Sequence, residues 1–257
     1  MLRNYKFIIA YDGTRFYGWE HQPGIEMTIQ GKIENVLSRM LGKDVEVIGC
    51  GRTDAGVHAK AMVANAHFDT DSCVAKGSKG EMTEDEIRDY MNRYLPDDIC
   101  INEVIIASDR FHARYNAIGK TYCYTCYVGP RKPVFDRKYV CVLDYQPDID
   151  KMRQAAEYLI GQHDYASFCS NPRMKKSTVR KVDMIDITQK GQYIYMTFHG
   201  TGFLQHMVRI LSGTLLEVGE GKRSPQSMEE LINAKKRALA GFTAPAQGLC
   251  MIKVDYS

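Results

Sequence analysis

A glycine-rich segment at residues 49–59, which reads GCGRTDAGVHA, constrains the chain more than any other feature. It follows an alternating apolar run at residues 45–48, which predicts the end of a β-strand. Small residues let the backbone turn tightly or approach a ligand closely. The segment therefore predicts a constrained turn that holds one carboxylate, Asp54, near one guanidinium, Arg52.

Two interpretations of Asp54 stay open from the residues alone. A nearby arginine keeps an aspartate ionised, and an ionised, poorly hydrated carboxylate can act as a nucleophile or a base. Glycine and aspartate are also common in turns that end a strand. Two other glycine motifs fail. Asp54 stands where a dinucleotide fingerprint needs its third glycine, and Arg114 stands where a P-loop ending in Gly119-Lys120-Thr121 needs its first.

Residues 51–59 resemble the signature loop of the tRNA pseudouridine synthase A family. The resemblance extends over nearly the whole chain, because further segments match the family in the same order. These segments are residues 11–14, 17–19, 28–30, 111–115, 120–124, 163–168, 203–209 and 248–249. Such an ordered series makes a chance match to the nine-residue loop very improbable.

The resemblance implies an α+β pseudouridine synthase fold, in which two α+β halves share a continuous, mostly antiparallel sheet with the active cleft between them. We place the N-terminal half at residues 1–107, with the Asp54 loop. The C-terminal half is then residues 108–257, with Tyr122, Arg209 and much of the RNA-binding surface. Periodicity alone predicts only an α+β fold, with α/β as the alternative.

Hydrophobic periodicity and turn residues predict the individual elements. A capping-box pattern at Thr83 and Glu86 predicts the start of a helix, and Leu95-Pro96 predicts its end. Asp150 is a candidate N-cap for a later helix. A polar loop is expected at 69–81. Strands are predicted at 6–11, 45–50, 61–68, 101–107, 120–128, 139–143, 181–188, 193–200 and 249–256, and further helices at 29–41, 150–160, 203–218 and 229–240.

By the same resemblance, the protein is an isomerase that converts uridine to pseudouridine at positions 38, 39 and 40 of the tRNA anticodon stem-loop. This reaction breaks the C–N bond between uracil and ribose, rotates the base and joins the two by a C–C bond. It requires no cofactor, and we expect none. Asp54 matches the catalytic aspartate of the family. Attack on C6, attack on C1′ and removal of a sugar proton all stay open as its role.

Four more site residues are carried over from the family. Arg209 matches the partner that orients Asp54, although from the residues alone it is either an ordinary helix-surface arginine or one that faces the groove. Tyr122 matches the active-site tyrosine, which stacks on the base and can relay a proton, but tyrosines in a strand are more often core. Arg52 is implied to extrude the base, or else contacts a phosphate, and Leu249 is implied to line the pocket. His58 and His112 are interpreted as structural or RNA-contacting.

The resemblance also implies the partner, a tRNA held across both subunits of a homodimer. The net charge of +3 and the pI near 8.3 permit RNA binding without requiring it. Phosphate binding needs point charges along a track, and five basic clusters occur in the C-terminal half: 131–132, 137–138, 175–181, 222–223 and 235–237. The alternatives are a relative acting on other RNA uridines, a catalytically silent RNA-binding relative, and a metal- or nucleotide-dependent enzyme, which the failed motifs disfavour.

We expect a cytoplasmic protein with no membrane contact. The first six residues do not resemble a secretory signal, and no apolar run approaches the ~18 residues of a membrane span. The eight cysteines lack the spacing of a secreted domain, and Cys123 and Cys126 have no second pair to complete a zinc site, so reduced structural thiols are expected. Glu20-His21 departs from the family, which usually has glutamine and a basic residue there.

Overall fold

A computed structural model describes residues 1–71, 73 and 81–257. The prediction of a polar loop at 69–81 falls mostly on residues 72 and 74–80, which lie outside the described residues. The described part of the chain has ten β-strands: β1 Arg3–Tyr11, β2 Ile48–Gly49, β3 His58–Phe68, β4 Ile99–Ala107, β5 Ala117–Val128, β6 Cys141–Leu143, β7 Gly161–Asp164, β8 Val179–Lys190, β9 Tyr193–Gly200 and β10 Leu249–Tyr256. Its five α-helices are α1 Ile29–Leu41, α2 Glu84–Tyr94, α3 Ile149–Tyr158, α4 Met207–Gly219 and α5 Ser227–Ala234.

The chain divides into two compact units, and the first contains residues 1–117 and 251–257. Strand β1 pairs antiparallel with both β3 and β4, β2 pairs with β3, and β10 lies beside β3. Because successive side chains of a strand point to opposite faces, alternate residues of β1 form the core. Tyr5, Phe7 and Ile9 are fully buried, and the ring of Tyr5 stacks on Phe68 with 4.2 Å between centroids.

The second unit contains residues 118–250. Strand β9 lies between β5 and β8 and is antiparallel to both, β7 is antiparallel to β8, and β6 is parallel to β5. Strands β8 and β9 form the predicted hairpin, in which Gly191 has a φ of 58° that glycine adopts without steric cost. Helix α3 packs on α4 and on β8. Met152 of α3, Leu215 of α4 and Phe198 of β9 are fully buried.

The predicted α+β fold class is confirmed. The pairs β1–β3, β1–β4, β2–β3, β5–β9, β7–β8 and β8–β9 are antiparallel and β5–β6 is parallel, whereas an α/β fold would require a mainly parallel sheet. Within the described residues, no helix combines the length and the apolar character that crossing a bilayer requires.

Two helices have the termini that their sequence predicts. Helix α2 begins after Thr83, whose side chain accepts from the Glu86 N–H, while the Glu86 side chain accepts from the Thr83 N–H. It ends at Tyr94, because Leu95, the residue before a proline, avoids the helical region and is extended. Helix α1 begins after Thr28, whose hydroxyl caps it, and ends at Leu41, because Gly42 has a φ of 71°.

Other predicted bounds are wrong. The helix predicted from residue 203 begins at Met207, because His206 has a φ of 59°, a left-handed conformation that an α-helix cannot include. The helix predicted to reach residue 240 ends at Ala234, because Lys235 has a φ of 52°. The third helix is capped by Asp148, whose carboxylate accepts from the Lys151 N–H, and not by Asp150.

The strand predicted at residues 45–50 is also shorter than expected. The strand covers Ile48–Gly49, which pairs with β3. The Val47 N–H donates to the side chain of Glu34 on α1, at 3.0 Å, instead of to a neighbouring strand. The Glu34 side chain therefore takes the place of a strand-to-strand hydrogen bond at Val47. Hydrophobic alternation in the sequence cannot reveal such a contact.

Candidate active site

Asp54 begins a tight turn between β2 and β3. The Val57 N–H donates to the Asp54 carbonyl at 3.1 Å, and Gly56 between them has a φ of +78°. A bond from residue i+3 to residue i with a glycine at positive φ in position i+2 is the pattern of a type II turn. The Cys50 N–H donates to the Val63 carbonyl at 2.8 Å and fixes the start of the loop. The half-buried Asp54 side chain thus stands on a backbone fixed at both ends.

A second segment lies directly against this turn. The Trp19 N–H donates to the Thr53 carbonyl at 3.1 Å, and the Gly56 N–H donates to the Phe16 carbonyl at 3.3 Å. Gly18 has a φ of +94°, and a Cβ added to it would stand 2.5 Å from the Thr53 carbonyl oxygen. The close approach of the two backbones therefore requires a glycine at this position.

Buried side chains anchor the same segment and the loop. Trp19 is 2% exposed, and its indole lies where a Cβ on Gly49 would fall. The hydroxyls of Tyr11 and Thr53 are hydrogen-bonded at 2.8 Å in the interior. Thr53 is thus held through its carbonyl by Trp19 and through its hydroxyl by Tyr11, which leaves the Asp54 carboxylate little freedom beyond its own side-chain rotations.

Both His58 and His112 have structural contacts. The Gly13 N–H donates to Nδ1 of the buried His58 at 3.1 Å, which ties the segment after β1 to the start of β3. Nδ1 of His112 accepts from the N–H groups of Arg114 and Tyr115, both at 3.2 Å, and so closes a turn. Their assignment as structural or RNA-contacting residues stays a prediction.

Arg52 lies at the exposed edge of the Asp54 loop. Its Nη2 atom is 2.5 Å from Oε1 of Glu20, and the two side chains are 66% and 43% exposed. Arg52 thus lies two residues before the Asp54 turn on the same loop, and its guanidinium pairs there with Glu20.

In the second unit, Arg209 lies in the first turn of α4. Its Nε donates to the Ala244 carbonyl at 2.8 Å, and the Ala244 N–H donates to the Arg209 carbonyl at 3.1 Å. This reciprocal pair fixes both the side chain and the backbone of Arg209. Asp54 belongs to the first unit, so the predicted pairing of Asp54 with Arg209 stays a prediction.

Tyr122 lies on β5, opposite Phe198 of β9. It is 8% exposed, and its ring meets Phe203 edge-to-face with 5.3 Å between centroids and 87° between planes. An edge-to-face contact of this kind stabilises an aromatic pair. Phe203 therefore sets the orientation of the Tyr122 ring.

A third tyrosine lies beneath the segment that leads to Leu249. The Tyr124 hydroxyl donates to the Pro245 carbonyl at 2.9 Å, and its ring lies where a Cβ on Gly248 would fall. Burial raises the pKa of the Tyr124 hydroxyl well above its usual range, and Arg209 opposes this shift. The segment from Ala244 to Leu249 is thus held by Arg209 at one end and by Tyr124 in its middle. Leu249 itself is buried.

The residues that hold the candidate site residues in place are not evident from the sequence alone. Tyr11, Trp19 and Phe203 lie in segments that match the family, but the sequence carries no sign of what they touch. The contact of Arg209 with Ala244 links residues 35 apart and has no sequence signal. Among residues 1–71, 73 and 81–257, no three His, Cys, Asp or Glu side chains lie together as ligands of a metal ion would.

Comparison with known proteins identifies the same family that residues 51–59 resemble. A family model described as tRNA pseudouridine synthase matches residues 7–116 and 155–257. The protein named tRNA pseudouridine synthase A 1 of Clostridium tetani is 45% identical over 255 residues, which cover 99% of this chain and 100% of the relative. Relatives from Bacillus cereus, named tRNA pseudouridine synthase A 2, and Brevibacillus brevis, named tRNA pseudouridine synthase A, are 40% and 42% identical over the same shares. With a match of this extent, the chain belongs to the tRNA pseudouridine synthase family.

Proposed function

We propose that the protein isomerises uridines 38, 39 and 40 in the anticodon stem-loop of tRNA, with Asp54 as the catalytic carboxylate. The observation that carries the proposal is the type II turn at Asp54 and Gly56, which holds the carboxylate of a family-matched loop on a rigid backbone. Membership of the family supports an isomerase that acts on tRNA uridines. The three positions in the anticodon stem-loop follow from the resemblance.

The reaction places a definite demand on Asp54. The bond from N1 of uracil to C1′ of ribose breaks, a bond from C5 to C1′ forms, C5 loses a proton and N1 gains one. Atoms and electrons balance, so no group is transferred and nothing is oxidised. Attack on C6, attack on C1′ and removal of a sugar proton each need an ionised carboxylate close to the reacting bond. A turn fixed at both ends supports that placement, because only the side-chain rotations of Asp54 are left to be ordered.

Arg209 is the proposed partner of Asp54. A guanidinium can pair with a carboxylate through two parallel hydrogen bonds, which orient it and keep it charged. The bond from Arg209 Nε to the Ala244 carbonyl uses one N–H donor, and the edge formed by the two Nη groups has the geometry that a carboxylate requires. The fixed backbone of Arg209 supports this role.

Three residues are proposed to receive the flipped uridine. An extruded base needs an aromatic face in place of its stacking neighbours. Tyr122 supplies that face, and its hydroxyl can relay a proton. Leu249 forms an apolar wall at the end of the braced segment from Ala244. Arg52, exposed on the Asp54 loop, is the proposed residue that extrudes the base or fills its place in the stack.

The RNA track is proposed at residues 175–181. Lys175, Lys176 and Lys181 are exposed, whereas the guanidinium of Arg180 folds back onto the carbonyls of Ser177 and Val179. The basic clusters at 222–223 and 235–237 are less suited to phosphates, because four of their five side chains already form contacts within the chain. Lys222 pairs with Glu220, Arg223 with Glu217 and Lys235 with Asp164, and Arg237 donates to the carbonyls of Ala240 and Gly241.

The same proposal includes a cytoplasmic homodimer that holds one tRNA across both subunits. The experiment for the whole proposal is position-resolved mapping of pseudouridine in tRNA transcripts incubated with the purified protein. We expect new pseudouridine at positions 38, 39 and 40 wherever the transcript carries uridine there. Pseudouridine at other positions only would assign the protein to other RNA uridines, and none at any position would contradict an isomerase.

A further inference from the structure

An acidic residue pairs with the arginine of the Asp54 loop, and the proposed reaction does not use it. Glu20 Oε1 lies 2.5 Å from Arg52 Nη2. Both side chains are well exposed, so the pair stands where an RNA bound at the loop would meet it. A carboxylate at this point opposes the phosphates of the expected substrate, which calls for a physical reason.

The backbone on both sides of Glu20 is fixed. The preceding residue, Trp19, donates its N–H to the Thr53 carbonyl at 3.1 Å and accepts at its own carbonyl from the Gln30 N–H at 2.9 Å. The following residue, His21, donates its N–H to Oε1 of Gln30 at 2.8 Å. Only side-chain rotations must be ordered to form the ion pair, which lowers its entropic cost. The arrangement thus favours the ion pair more than two mobile surface chains would.

We propose that Glu20 is a specificity-determining residue that masks Arg52 from RNA phosphates. While the ion pair is intact, Arg52 gives no net gain to an RNA that offers only a phosphate, because the carboxylate is already its partner. An RNA that offers Arg52 a place in its base stack, as the proposed function requires, compensates for breaking the ion pair. The inference therefore rests on the proposed function, and it predicts that Glu20 weakens binding of non-substrate RNA most.

Equilibrium binding in an Asp54→Asn background, where RNA is expected not to react, tests the inference. The probes are an unmodified tRNA transcript and a polyadenylate oligonucleotide. We expect Glu20→Gln to tighten polyadenylate binding by roughly two- to fivefold, the range for an exposed ion pair. The plot of log affinity against log salt should steepen by about 0.7, as for one more phosphate contact on a single strand. Binding of tRNA should tighten less.

Two controls isolate Arg52 from net charge. Glu26→Gln removes the same charge from another exposed acid of the same segment and should leave polyadenylate binding unchanged. Glu20→Gln in an Arg52→Ala background should also have no effect. Unchanged or weaker binding in Glu20→Gln, or an equal gain in either control, would overturn the inference. A wild-type protein that forms no pseudouridine would contradict the proposed function alone, since the binding comparison does not depend on turnover.

Discussion

Gly13 lies directly against Val57, so closely that a Cβ added to Gly13 would overlap the Val57 carbonyl oxygen. Val57 closes the turn that begins at Asp54. The segment after β1 and the Asp54 loop are therefore packed backbone to backbone, and the position of the carboxylate depends on the absence of one methyl group.

Gly13→Ala should impair turnover although Gly13 bears no functional group. The added methyl must push Val57 away and shift the turn, and a misplacement of about 1 Å can cost about 10²-fold in rate. We expect a loss of about that size in kcat, measured with a tRNA transcript, while RNA binding changes little. Gly202→Ala is the control, because the nearest atom to a Cβ added at Gly202, Arg180 Nε, lies 4.0 Å away. Equal kcat for Gly13→Ala and wild type would show that the loop tolerates the shift.

Arg209→Ala should lower both turnover and stability. The variant loses the bond from Nε to the Ala244 carbonyl, and a hydrogen bond from a charged group contributes about 1.5–3 kcal/mol. It also leaves Asp54 without its proposed partner. We expect turnover to fall to background and Tm to drop.

Arg153→Ala separates these two effects. Arg153 Nε also donates to a backbone carbonyl, that of Ile187, at 2.9 Å in the same unit. This control should lower Tm to a similar or smaller extent and keep wild-type turnover. Normal turnover in Arg209→Ala would rule out the pairing with Asp54.

Tyr122→Phe tests the proton relay. The variant keeps the aromatic face and its contact with Phe203 but loses the hydroxyl. Because general acid–base catalysis contributes about 10²–10⁴-fold, we expect normal RNA binding and a turnover reduced by at least about tenfold. Tyr122→Leu should weaken both binding and turnover.

Tyr127→Phe is the matched control on the same strand. Its hydroxyl donates to the Gln192 side chain at 2.8 Å and has no role in the proposed site. Turnover should therefore match that of the wild type. If Tyr122→Phe is as active as wild type in single-turnover assays, the role of Tyr122 is stacking alone.

Charge removal at Lys175, Lys176, Arg180 and Lys181 should reduce the salt dependence of tRNA binding. For every phosphate that the variant no longer neutralises, the slope of log affinity against log salt should fall by about 0.7–0.9. KM should rise, while kcat at saturating tRNA should stay close to that of the wild type. Because the Arg180 guanidinium is already bonded to backbone carbonyls, we expect the three exposed lysines, Lys175, Lys176 and Lys181, to account for most of the change. If the slope is unchanged, the RNA track is assigned to the basic residues at 131–138 instead.

The sequence predicts correctly those helix and hairpin ends that are set by residues next to them in the chain. The capping box at Thr83 and the hairpin glycine at Gly191 act within a few residues, so their signals lie in the sequence next to the structure they form. The left-handed residues His206 and Lys235 carry no such signal. They end or delay helices because a left-handed residue cannot continue an α-helix.

In the candidate site, too, the sequence predicts the local turn but not its distant contacts. The spacing of Arg52, Asp54 and Gly56 predicts a tight turn with a carboxylate, and the type II turn agrees with it. The partners of that turn come from residues 13, 18 and 19, more than 30 positions earlier. Gly13 and Gly18 are required because another backbone approaches them closely. The sequence shows that a glycine is present at each position but not which backbone it touches.

The most direct test of the central claim is pseudouridine mapping with Asp54→Asn beside Asp44→Asn. Both variants lose one carboxylate charge from the first unit, and Asp44 is exposed at the end of α1, outside the site. We predict that Asp44→Asn forms pseudouridine at the wild-type rate, whereas Asp54→Asn falls to background and still binds tRNA within a few fold of wild type. Turnover by Asp54→Asn above a few per cent of wild type would contradict the assignment of Asp54 as the catalytic carboxylate.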